Sequence, residues 1–312
     1  MKSYQKNGQP IRDDGPQRHL SEKTGTPTMG GLLILGSVTF TTILLSNLSV
    51  ISIWLVLLIM WGYGGIGLFD DLHKLKTNDY HGFLVKQKFV LQLGLGALSS
   101  IGIAFLTDQN IYFPFFKNMV VHLPLLLFIM WGCIVIIGST NAVNLTDGLD
   151  GLAIFPVMMA SFSLAAIAYV VGHAVFSKYL LLPHIPNVGE LVIFLGAWMG
   201  ASLGFLWYNA PPARIFMGDT GSLAAGASLG ATALLIKHEI TWSIIGAIFV
   251  IEALSVIIQV VYFKRTKKRI FLMAPLHHHF EQIGLKESTI VIRFWIIAVL
   301  LSLISLASLK LR

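Results

Sequence analysis

Apolar runs separated by short polar segments dominate the chain. Nine are long enough, or nearly so, to cross a bilayer of about 30 Å, for which a helix needs ~20 residues. They cover residues 29–49, 50–69, 89–107, 120–139, 151–172, 189–207, 221–236, 241–263 and 289–309. The first two are joined only by uncharged residues near Ser46 to Ser52, yet their 41 residues are too many for a single span. The seventh is the shortest and the richest in Gly and Ala, which suits a helix packed closely against its neighbours. No internal repeat, low-complexity segment or linker interrupts the pattern. The expectation is an all-α polytopic membrane protein of about nine transmembrane helices, one domain over residues 1–312 with a cytoplasmic N-terminal segment, 1–28.

Composition excludes a soluble globular domain. Of 312 residues, 55% are hydrophobic and 12% charged, and the mean hydropathy is +0.75. One core of this size could not hide that much apolar surface. Residues 1–28 contain Lys2, Lys6, Arg12, Arg18 and Lys23 and no apolar core, so they do not form a cleavable secretory signal. Cys133 is the single cysteine and lies in an apolar run, so there is no disulfide framework.

The net charge of +7 raises the question of nucleic acid, but in a membrane chain the location of charge matters more than its sum. Sixteen of the 22 Lys and Arg fall in 1–28, 70–88, 208–220 and 264–288, which are alternate polar segments on one side. The other side has Lys117, Lys178, Lys237, Lys310 and Arg312, and Arg293 lies inside the last run. The excess of positive charge places the first set in the cytoplasm. Eleven of the 15 acidic residues share that side. Polar chemistry is therefore concentrated at one membrane face, and nucleic acid is not the implied partner.

Five segments on that face carry the candidate chemistry. Residues 141–153 hold Asn141 and Asn144, then Asp147 and Asp150 at the same spacing, followed by glycines that favour a turn. Carboxylates at a membrane boundary are costly unless solvated, paired or bound to a metal. Asp70 and Asp71 are adjacent and repel each other, which suits a general base, a divalent cation site or both. Lys86 and Lys88 follow as candidate phosphate cations. Gly25, Gly30 and Gly31 precede the first run, where backbone N–H groups could approach an anion. Asp219 stands between two glycines at the start of the seventh run, where oxygen ligands and helix N–H groups could meet around a metal and a phosphate. His277, His278 and His279 are consecutive, so they cannot share a helix face as zinc-protease ligands do; phosphate contact and proton handling fit better. Glu252 lies in the middle of the eighth run and must face protein or water. The sequence has neither a P-loop nor a dinucleotide fingerprint, so a bound nucleotide diphosphate would be neutralised by a metal on carboxylates, and Mg²⁺ prefers such hard oxygens.

Together these segments resemble the polyprenyl-phosphate N-acetylhexosamine-1-phosphate transferases. The matching motifs are Gly-Thr-Pro-Thr-Met-Gly-Gly at 25–31, Phe-Asp-Asp at 69–71, Asn-Leu-Thr-Asp-Gly-Leu-Asp-Gly at 144–151, Met-Gly-Asp-Thr-Gly-Ser at 217–222 and Pro-Leu-His-His-His-Phe-Glu at 275–281. The last form points to the branch using a muramoyl-pentapeptide rather than its N-acetylglucosamine relatives. The resemblance implies a cleft on the cytoplasmic face of a bacterial inner membrane. There UDP-N-acetylmuramoyl-pentapeptide and undecaprenyl phosphate would give lipid I and UMP with Mg²⁺, a step of peptidoglycan synthesis.

By the same resemblance Asp219 holds the metal, with Asp147 beside it. Asp70 binds or deprotonates the lipid phosphate and Asp71 is its neighbour. Asn144, Asp147 and Asp150 line the nucleotide region, Lys74 and Lys86 supply positive charge, and His277 and His278 are essential, with His279 as a substrate contact. Membrane lipid and a homodimer are further partners it suggests. Members usually have ten spans, the first preceding the 25–31 loop, against the nine read here.

Overall fold

The structure is a computed structural model that describes residues 26–77, 82–116 and 119–311. Segment 1–25, with Lys23 and Gly25, lies outside the described residues, as do Asp79, Lys117 and Arg312.

Helices account for nearly all of it. In chain order they are α1 (Gly31–Leu45), α2 (Ile51–Thr77), α3 (Val85–Leu106), α4 (Leu125–Thr146), α5 (Ile154–Gly172), the short α6 (Ala174–Leu180), α7 (Leu191–Asn209), α8 (Gly218–Leu235), the short α9 (Glu239–Ile245), α10 (Ala247–Thr266), the short α11 (Leu276–Gln282) and α12 (Glu287–Ser308). One small exception to an all-α chain precedes α4. Strands β1 (Asn110–Tyr112) and β2 (Val120–His122) pair antiparallel, Ile111 opposite Val121.

Among the described residues, seven helices are long and apolar enough to cross a membrane, against the nine runs read from the sequence. The two that differ do so for different reasons. α1 is apolar but only 15 residues long. α8 is enclosed by protein: every residue from Thr220 to Leu235 is buried. A helix that meets no lipid needs no large apolar side chains, and its Gly, Ala and Ser let α2 and α4 pack against it closely.

Element boundaries also move. The run 120–139 begins as β2, and α4 starts after Pro124, whose missing N–H is harmless at a helix start. α4 then continues to Thr146, so Asn141 and Asn144 lie on a helix rather than in a loop. α2 runs eight residues past Phe69, placing Asp70 and Asp71 within a helix instead of at its end. The run 241–263 breaks at Gly246 into α9 and α10. The main core runs through α1, α2, α4, α5, α7 and α8. A smaller cluster of Leu149, Leu152, Ile248, Ile290, Val291, Phe294 and Ala298 packs α10 and α12 against the turn after α4.

Candidate active site

Asp70, Asp71 and Asp219 each offer a carboxylate oxygen within 4.8 Å of the others. Asp70 and Asp71 come from α2 and Asp219 from the first turn of α8. Lys74, one turn after Asp70, places its Nζ 2.6 Å from Asp70 Oδ2 and 3.1 Å from Asp219 Oδ2. Lys88 of α3 lies 2.5 Å from Asp219 Oδ2 and 3.6 Å from Asp70 Oδ2. Three carboxylates thus face two ammonium groups, leaving one negative charge in excess. Burial alone raises the Asp219 carboxyl, but Lys88 and Lys74 outweigh it and hold the group well below the usual carboxylate range. Asp219 is an anion at any physiological pH.

The two neighbouring acids of α2 have different jobs. Asp71 accepts from the backbone N–H of Asp219 at 3.1 Å, from that of Thr220 at 3.0 Å and from the Thr220 hydroxyl at 2.7 Å. It caps the N-terminus of α8 from another helix, a favourable place for a negative charge. Asp70 accepts one backbone bond, from Phe83 N–H at 2.8 Å, and its other oxygen faces the lysines. α2 and α8 can approach this closely because residue 67 is glycine: a Cβ there would stand 2.2 Å from the Asp219 carbonyl oxygen.

α4 completes the enclosure. Asn144 donates to Asp219 Oδ1 at 2.9 Å and to Ser222 Oγ at 2.8 Å, while Asn141 donates to Gln92 at 2.8 Å. Beyond Thr146 the chain turns, as the glycines there foretell. Asp150 is buried in that turn and accepts from Ala213 N–H at 2.9 Å, while its own N–H donates to Glu287 at 3.0 Å. Asn209 accepts from Gly151 N–H and donates to the Ile215 carbonyl, so the turn and the segment 209–215 are one unit.

The three histidines point in three directions, as their spacing requires. His277 is fully buried and its Nδ1 lies 3.1 Å from Glu252 Oε2. His278 Nδ1 lies 2.6 Å from Glu281 Oε2, one turn along α11. His279 Nδ1 accepts from Leu272 N–H at 3.1 Å.

The structure places three sequence-predicted groups away from the acid cluster or in other contacts. Asp147, paired with Asp219 as a metal ligand in the sequence reading, is not among the acids grouped within 4.8 Å. It caps the end of α4, one turn after the residue that reaches Asp219, which is Asn144. Lys86 is exposed, and Lys88 is the α3 cation at the acids. Gly30 and Gly31 spend their N–H groups on the Phe216 and Met217 carbonyls, both at 2.9 Å, rather than on an anion. Sequence reasoning offered Lys88 beside Lys86 without separating the two, and it missed Thr220 and Ser222 as parts of the site. The signal for Lys88 is its spacing of four and eight from Gln92 and Gly96 on the buried stripe of α3.

The chain is also similar in sequence to known proteins. The profile of glycosyl transferase family 4 matches residues 53–237, and a phospho-N-acetylmuramoyl-pentapeptide-transferase signature matches residues 23–35. The chain is 52% identical to the phospho-N-acetylmuramoyl-pentapeptide-transferases of Dinoroseobacter shibae and Granulibacter bethesdensis, over all of this chain and 87% of each relative. Its identity to that of Pelagibacter ubique is 52%, over 97% of this chain and 85% of the relative. Identity of this extent, with the profile match, shows that the chain belongs to the phospho-N-acetylmuramoyl-pentapeptide-transferase family, within glycosyl transferase family 4.

Proposed function

We propose that this chain transfers phospho-N-acetylmuramoyl-pentapeptide from its UDP carrier to undecaprenyl phosphate, giving lipid I and UMP, at the cytoplasmic face of a bacterial inner membrane. The observation that carries this is the meeting of Asp70, Asp219, Lys74 and Lys88 at one end of an apolar helical bundle. A phosphorylated lipid and a nucleotide diphosphate both bring negative charge, and one of them must come from the bilayer. The relatives' name supplies the sugar.

Three carboxylates with one formal charge in excess are a hard-oxygen set that fits a divalent cation such as Mg²⁺, with Asp219 as its holder, because the oxygens of Asp71 are already bonded to α8 and Asp70 is kept for the proton. A cation bound there would offset the charge of the diphosphate. The chain's own groups do the rest. Asn144 holds Asp219 in place, Lys74 and Lys88 attract phosphate oxygens, and Asp70 takes the proton of a lipid phosphate that arrives protonated. An oxygen of the lipid phosphate then bonds to the β-phosphorus, the β-phosphorus to bridging-oxygen bond breaks, and its electron pair leaves with UMP.

The test uses purified protein in detergent with undecaprenyl phosphate, Mg²⁺ and radiolabelled UDP-N-acetylmuramoyl-pentapeptide. UMP release should equal the label passing into the organic phase and should require both substrates. UMP release with UDP-N-acetylglucosamine in its place and none with the muramoyl substrate would move the chain to the related sugar branch. A phosphorylated Asp70 trapped with the UDP substrate alone would replace direct displacement by a covalent route.

A further inference from the structure

Glu252 is fully buried on α10, a helix otherwise anchored by little more than Ile248, Phe249 and Ser255. A carboxylate in that position is costly unless its oxygens are used. Both serve a single residue. Glu252 Oε1 accepts from the His277 backbone N–H at 3.2 Å, and Oε2 lies 3.1 Å from His277 Nδ1. With Glu252 as the acceptor at both contacts, Nδ1 carries the hydrogen and Nε2 is left as the ring's free acceptor.

Nε2 faces the turn after α4. It is fully buried and has no hydrogen-bond partner among the described residues. It lies against Gly148, where a Cβ would stand 2.3 Å from it. Gly148 is flanked by Asp147 and Leu149 in the turn leading out of α4, the helix whose Asn144 holds Asp219. A buried ring nitrogen with no partner calls for an explanation, and a catalytic role is one of those that native structures supply.

We propose that Glu252 is a positioning residue. It fixes the orientation and tautomer of His277 so that Nε2 faces the 147–150 turn, ready for a hydroxyl or phosphate oxygen of the substrate. The kinetic test of this role rests on the transferase reading; the spectroscopic test does not. Glu252→Gln keeps the shape and one oxygen acceptor while removing the charge and one of the two acceptors, and His277→Asn removes the ring.

In the UMP-release assay Glu252→Gln should lower kcat about 10–100-fold, the range seen when a metal-bound histidine loses the group that orients it. KM for the UDP substrate should change less than kcat. In the His277→Asn background, Glu252→Gln should add nothing further, because the two act as a unit. A kcat close to wild type, or an effect of equal size in both backgrounds, would overturn the proposal. Nitrogen-15 spectra of histidine-labelled protein give a readout independent of activity, with His277 assigned by the signal lost in His277→Asn. Wild type should show Nδ1 protonated, and Glu252→Gln should show a mixture of tautomers. An Nε2-protonated neutral ring in wild type, or an unchanged spectrum in Glu252→Gln, would equally overturn it, even if the protein used another substrate.

Discussion

Lys88, Lys74 and Asn144 all converge on Asp219, and each contact is within hydrogen-bond range. The value of Lys88 comes from its surroundings, where little water remains to screen it. Lys86, two positions earlier, is exposed. Charge removal should separate them. Lys88→Gln is expected to reduce kcat/KM by about 10²-fold, comparable to losing one charge-stabilising donor in an active site. Lys86→Gln should stay within about fivefold, as suits an exposed charge. Steady-state UMP release checks both.

The identity of the acids was legible in the sequence, because Asp70, Asp71 and Asp219 are carboxylates beside apolar runs. Their division of labour was not. Nothing in the order Phe-Asp-Asp says that the second acid caps a helix 148 residues away while the first faces the lysines. Successive residues of a helix point about 100° apart, so only one of the two acids faces the backbone of α8. A pattern along one chain does not encode which of the two it is.

At the scale of elements, the site depends on how closely α2 and α8 approach. Gly67→Ala would push a Cβ into the Asp219 carbonyl, 2.2 Å away in the present structure, so backbone would have to move. Overpacking of this kind costs about 1–3 kcal/mol, and here the displaced backbone carries the central carboxylate. Thermal unfolding in detergent should show lower stability and the assay lower activity. Gly65→Ala, on the same helix with nothing within 4 Å of its Cβ, is the control. It should keep activity and gain up to about 1 kcal/mol from better helix propensity. The sequence located most helices because lipid-facing helices must be apolar. It placed their ends poorly where polar residues continue a helix beyond the apolar run, as in α2 and α4, since hydropathy does not register hydrogen bonds made to another element.

At the scale of the whole molecule, sixteen of 22 cations on alternate segments give the chain a sided charge, and the acid cluster lies on the cation-rich side. The basic run from Lys264 to Arg269 is exposed at the end of α10. A cysteine introduced as Lys268→Cys should therefore react with a membrane-impermeant maleimide in inside-out vesicles and not in right-side-out ones. Tyr179→Cys, exposed after α5 on the opposite side, should show the reverse. The native Cys133 is only partly accessible and sets the background. Labelling of both positions from one side would contradict the orientation.

The most direct measurement is UMP release by wild type and Asp219→Asn across a Mg²⁺ titration. Asparagine matches the size of Asp219 but removes the charge that Lys74 and Lys88 hold in place. The account predicts release that needs both substrates and Mg²⁺ in wild type, and a loss of at least about 10³-fold in folded Asp219→Asn. Activity in Asp219→Asn close to wild type, with the same Mg²⁺ dependence, would show that the chemistry lies elsewhere.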